Sequence, residues 1–134
     1  MSWLLGEPRS AEVRERLASA DLVLASTLTL IECDRVLIRA VATGALAEAA
    51  AAERRAWLAR TVEHWVLFDL DAAIVERARR PFPREPIRTL DAIHLATAAL
   101  AQSLVADLIV LSLDDRVRGS GRLMGFRILP EGEP

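Results

Sequence analysis

In Arg88 to Leu100, "RTLDAIHLATAAL", an aspartate and a histidine stand three residues apart within otherwise apolar helical periodicity. Read with Thr89 as the helix cap, Asp91 falls in the first turn, where the helix dipole favours negative charge by roughly 0.3 to 1 kcal/mol. That accounts for an acid near the helix start. It does not account for a carboxylate at the edge of a segment whose Leu90, Ile93 and Leu95 predict packing on most faces. Two further acids have comparable settings: Glu32 in "LTLIECDRVL", and Asp114 directly after "LIVLSL". Like charges about 4 Å apart repel by roughly 4 kcal/mol at an effective dielectric near 20, so a cluster of acids requires a cation or a retained proton. Hard oxygen ligands select Mg2+ or Mn2+. With no lysine, one cysteine and two histidines, the chain has few candidates for covalent or zinc chemistry. Metal-assisted attack of water on a phosphodiester is the reaction this donor set suits.

Each residue also has an ordinary structural explanation. Asp91 and Asp114 serve as first-turn partners of a helix dipole. Glu32 could pair with Arg35, three positions on, for about 0.2 to 0.5 kcal/mol. His94 reads as a core histidine bonded to a backbone carbonyl, and Cys33 and His64 as structural residues. The paired Asp69 and Asp71 of "FDLDAAIV" are reminiscent of haloacid-dehalogenase-type phosphatases, but Ala73 stands where that pattern has Thr or Val, and both acids suit a helix start.

The elements that would position these residues follow from periodicity and punctuation. The pattern predicts a helix over 10–18, a strand over 21–26, a long helix opened by Ser26 or Thr27 and closed by Gly44, and a second long helix over 46–62. A strand over 64–70 and a helix opened by Asp69 or Asp71 follow, ended by the three prolines of "RPFPREP". After the Asp91 helix come the strand "LIVLSL", a turn or short helix from Asp114, the glycine-rich "GSG" at 119–121, and a last strand at 126–129. Strands alternating with helices predict an α/β fold, a parallel sheet with helices on both faces. Ligands of such sheets bind at the carboxyl ends of the strands, the edge to which Glu32, Asp91 and Asp114 map.

Composition sets the limits. A chain of 134 residues, 52% hydrophobic and 27% charged, is globular and expected to form one domain. The net charge of -2 gives no global electrostatic footprint for nucleic acid, though all seventeen basic residues are arginine, the side chain suited to bidentate phosphate contacts. A single cysteine excludes an intrachain disulfide and fits a reducing cytoplasm. No signal peptide or membrane span is expected from the short, charge-punctuated apolar runs.

Four blocks, "SWLLGEPRSAEVRERL", "ASTLTLIECDRVLIRA", "RTLDAIHLATAAL" and "LIVLSLDDRVRGSGRLMGFRILP", resemble in this order successive parts of the PIN-domain family, in particular its VapC-like toxins. The resemblance covers nearly the whole chain. It implies a three-layer α/β fold and a Mg2+- or Mn2+-dependent ribonuclease, cytoplasmic, homodimeric and held inactive by a cognate antitoxin. It assigns metal-site roles to Glu32, Asp91 and Asp114, with Ser112 as a neighbouring polar group and Asp115 as the alternative to Asp114. The family pattern also carries an acid at the end of a first strand, before the block matching "WLLGEP". Neither precedes that block here, so residues 1–134 are expected to be an N-terminally incomplete single domain with weak metal binding and little activity. The alternative expectation is an inactive PIN-like decoy that keeps an antitoxin-binding surface.

Overall fold

The computed structural model describes residues 4–6 and 9–132, so most of the "SWLLGEP" block lies outside the described residues. The chain divides into two compact units, residues 1–69 and 70–134.

In the first unit, helix α1 (Ser10–Ser19) leads into strand β1 (Val23–Ser26), then helices α2 (Leu28–Ala42) and α3 (Glu48–Val62) and strand β2 (Trp65–Phe68). Strand β2 lies parallel to β1, with Val23 opposite Trp65 and Ser26 opposite Phe68. The long helix α2 buries Cys33, Leu37 and Ala40, and α3 buries Ala51 and Leu58. Spacings of three, four and seven place each set on one helix face. Gly44 ends the α2 segment at φ 72°, a left-handed conformation that glycine adopts without a Cβ clash.

The second unit comprises α4 (Ala72–Ala78), α5 (Thr89–Leu104), β3 (Ile109–Leu111), α6 (Asp115–Leu123) and β4 (Arg127–Leu129). Asp71 caps α4, accepting from the Ile74 amide at 2.9 Å, which is the helix-opening role expected of it. Helix α5 buries Ala92, Leu95, Ala96, Thr97 and Ala101, mostly small residues that let α4 and α6 approach closely. Leu90 (45% exposed) and Leu104 (70%) lie at its two ends, and every residue from 91 to 101 is buried or half-buried, the packing on most faces that its composition suggests. Strands β3 and β4 are parallel, Ile109 opposite Arg127 and Leu111 opposite Leu129. The parallel pairing expected from the alternation of elements is present, divided into two two-stranded ladders, one in each unit.

Two local readings are corrected. Thr89 is the first residue of α5 and Arg88 occupies the cap position, so Asp91 is the third helical residue. The "GSG" segment is interior to α6 and does not break it. Its glycines meet close neighbours: a Cβ on Gly121 would lie 2.8 Å from Ile128 Cδ1, and one on Gly119 would collide with the Arg84 side chain. These glycines give up helix propensity for close approach.

Candidate active site

Asp114 follows strand β3 and is the N-cap of α6. Its Oδ1 accepts from the amides of Arg116 (2.8 Å) and Val117 (3.2 Å). Ser112 precedes it, and the Ser112 Oγ accepts from the Asp114 amide at 3.2 Å. The carboxylate is exposed, and these bonds hold it in one orientation at the carboxyl end of the strand.

Asp91 contrasts with it. It stands in the first turn of α5, partly buried, and its Oδ2 is shielded from solvent with no hydrogen-bond partner. Buried side-chain oxygens nearly always have partners, so this orphan calls for an explanation. Burial, and next the negative charge of Asp114, push the Asp91 carboxyl above the ordinary carboxylate range; Arg88, Arg116 and His94 pull it back. The repulsion places Asp91 and Asp114 within electrostatic range of each other. A buried carboxylate oxygen with a free coordination position, beside a second oriented carboxylate, suits a hard divalent cation. Mg2+ in particular is held by one or two carboxylates together with substrate phosphates, and seldom by a cage made wholly of protein. Among the described residues no group of three or more His, Cys, Asp and Glu side chains has a metal-holding arrangement. Asp91 and Asp114 share the second unit, and their charges interact.

Glu32 belongs to the first unit, in the second turn of α2, partly buried; Arg35 is exposed on the same helix. Asp115 is exposed in the first turn of α6, one residue beyond the capping acid. His94 is partly buried on α5, and its charge affects Asp91. Burial pushes the thiol of Cys33, next to Glu32 in sequence, up to about 11, so it is no nucleophile at neutral pH.

Sequence reasoning missed Arg118. This side chain is 1% exposed, and its guanidinium donates to the carbonyls of Ser112 (2.7 Å), Pro130 (2.9 Å) and Gly132 (2.6 Å). It thereby ties the residue after β3 to the segment after β4 and supports the turn that carries Asp114. Nothing in "DDRVRGSGR" distinguishes this arginine from its exposed neighbours except the helical phase it shares with Asp114, four residues before it.

Residues 1–123 match the PIN domain. The chain belongs to the PIN-domain family, whose fold is the three-layer α/β arrangement expected above. It is similar to Ribonuclease VapC35 of Mycobacterium tuberculosis, from strains CDC 1551 / Oshkosh and ATCC 25618 / H37Rv, at 32% identity over 66 residues in each case. The match covers 49% of this chain, and the chain spans about half the length, 48%, of these curated relatives. No solved structure gives a significant match. No helix among the described residues is long and apolar enough to cross a membrane.

Proposed function

We propose that this protein is a Mg2+- or Mn2+-dependent endoribonuclease, the toxin of a VapBC-type toxin-antitoxin pair, acting as a homodimer in the cytoplasm and restrained by its antitoxin. The carrying observation is the buried, partnerless Oδ2 of Asp91 within range of the oriented Asp114. Asp91 and Asp114 would hold the cation, with Glu32 as a third acid and Asp115 as the alternative to Asp114. Such a cation, when bound, supplies Lewis acidity toward a phosphodiester and promotes deprotonation of water at neutral pH.

The chain's own contribution is orientation. Two amides fix the Asp114 carboxylate, the Ser112 hydroxyl fixes the turn before it, and Arg118 fixes the carbonyl of that turn. Asp91 comes from a different helix, so the acids converge without sharing a flexible loop. Preorganisation of this kind keeps the charges in place as negative charge builds on the phosphate. An antitoxin partner is supported by the apolar cavity of about 530 Å³ in the second unit, lined in part by Val75, Phe82, Ile87 and Ile93, with Leu70 and Val75 exposed at its edge.

Incubation of the purified chain with RNA should give cleavage in Mn2+ that stops in EDTA and is lost in Asp91→Asn. Cleavage indifferent to EDTA would exclude this mechanism. The second reading is an inactive PIN-like antitoxin-binding decoy. Co-purification with a small partner, no cleavage in Mn2+, and a melting temperature unchanged by Mn2+ would select it.

A further inference from the structure

Several exposed arginines of the second unit have acid partners. Arg79 and Arg80 pair with Glu76, and Arg127 with Glu131. Four others do not: Arg84, Arg88, Arg116 and Arg122 are exposed and form no ion pair among the described residues. Arg122 lies in the last turn of α6, at the far end of the helix from Asp114, whereas the positions of the other three are not scattered. Arg88 is the N-cap residue of α5, three before Asp91, and Arg116 is the second residue of α6, two after Asp114. Arg84 reaches α6 from the proline-rich loop. Its carbonyl accepts from Ser120 Oγ at 3.3 Å, and its side chain crosses Gly119 so closely that a Cβ there would stand 3.2 Å from Arg84 Cδ. The acid beside it in sequence, Glu85, is engaged with the amides of Phe82 (3.0 Å) and Ile87 (2.7 Å).

We propose that Arg84, Arg88 and Arg116 form the phosphate-binding rim of the Asp91–Asp114 site, gripping the backbone of single-stranded RNA around the reacting phosphate, with Gly119 as the notch that seats Arg84. The assignment rests on the ribonuclease reading and names the residues that grip its substrate. Guanidinium forks match phosphate oxygens bidentately, and a polyanion approaching two carboxylates needs compensating cations at the point of approach. Arginines already paired with carboxylates would have to give up those pairs to bind phosphate. Arg84 has no such competitor, and Arg88 and Arg116 act on the Asp91 carboxyl only from beyond ion-pair distance.

The test is fluorescence anisotropy of a labelled single-stranded RNA oligonucleotide with the full chain in EDTA, where metal-dependent cleavage cannot interfere, over a series of salt concentrations. Removing one arginine–phosphate pair should flatten the slope of log K against log salt by about 0.7 for a single strand. Arg84→Gln, Arg88→Gln and Arg116→Gln should each do so and weaken binding by roughly three- to tenfold at about 100 mM salt. Arg79→Gln and Arg80→Gln should leave the slope unchanged. Gly119→Ala provides the sharper arm: it improves helix propensity, so the melting temperature should hold or rise, while displacement of Arg84 flattens the slope as Arg84→Gln does. In the double variant the two effects should not add.

Wild-type slopes in the three rim variants, an equal flattening in Arg79→Gln, or no RNA binding by the wild-type chain would each overturn the proposal. Its fate is separable from that of the nuclease reading. Flattened slopes without Mn2+-dependent cleavage keep the rim and remove the nuclease; robust cleavage with unchanged slopes does the reverse.

Discussion

The two parallel ladders end alike and then diverge. After β1, Ser26 Oγ accepts from the Leu28 amide at 3.2 Å; after β3, Ser112 Oγ accepts from the Asp114 amide at 3.2 Å. Each ladder also closes with one extra bond, Thr27 N–H to Phe68 O at 2.9 Å and Ser112 N–H to Leu129 O at 3.0 Å. Beyond that point the first unit passes into α2 through Thr27, which makes no side-chain cap. Its acid, Glu32, comes a turn later. In the second unit the acid is itself the cap, and a buried arginine braces the turn from behind. The same serine turn thus serves as a simple strand exit in one unit and as the base of a rigid carboxylate in the other. What makes the difference is the cap residue and the brace.

The strongest way to break this contrast is Arg118→Met, which keeps much of the volume but leaves the Ser112, Pro130 and Gly132 carbonyls without their donor. Hydrogen bonds to a charged group contribute about 1.5 to 3 kcal/mol each, so denaturant unfolding should register a loss on the order of 3 kcal/mol or more. A loss under about 1 kcal/mol would mean that the brace is replaceable.

Next in size is the effect on chemistry. Asp91→Asn and Asp114→Asn should each reduce Mn2+-dependent cleavage by about a hundredfold, the scale for removing one preorganised electrostatic group. Their pH behaviour separates them from structural damage. Because burial and Asp114 raise the Asp91 carboxyl, the native chain holds that proton more tightly than the unfolded chain does. This group's stabilising contribution is therefore full at acid pH, below the unfolded carboxylate value, and is lost as pH rises through Asp91's own raised value. Asp91→Asn should match the wild type in acid and equal or exceed it at neutral pH when melting is followed by circular dichroism. A variant less stable than wild type at neutral pH would identify Asp91 as a helix-start residue only.

Capping energies sharpen the contrast between the turns at a smaller scale. Asp114→Ala should cost about 1 kcal/mol, whereas Thr27→Ala, with no cap bond to lose, should cost under about 0.5 kcal/mol. Asp71→Ala should lose as much stability as Asp114→Ala and no activity, since its carboxylate is occupied by the Ile74 amide and lies outside the site. Smallest is the response of Cys33: with the thiol buried and raised to about 11, a thiol reagent at neutral pH should label it only at the rate of unfolding. Rapid labelling of the native chain would mean that α2 opens locally.

Some of this was legible in the chain alone because it depends on neighbours in sequence. The helix over 28–42 and its end at Gly44, the strand before Asp114 and the capping by Asp71 follow from period, propensity and local hydrogen bonding. The chemical character of Asp91 and Asp114 was legible too, since an acid in an apolar helix start is conspicuous by its cost. Other features depend on partners distant in sequence. The "GSG" segment reads as a stretch apart from the short helix until Arg84 and Ile128 are seen against its glycines, and Thr89 reads as a cap until the backbone places Arg88 there.

What the sequence by itself determined was the alternation of elements, the donor chemistry of the acids and the resemblance that runs through its four blocks. The tertiary structure decided which polar groups are left without partners and which are braced: Asp91 Oδ2 orphaned in a buried layer, Asp114 held by two amides, Arg118 enclosed by three carbonyls. The physical reason is that hydration and hydrogen bonding are properties of a residue's surroundings. An arginine in "DDRVRGSGR" carries the same charge whether it faces water or three carbonyls, and only the packing of α6 against the strand ends selects the one that becomes structural.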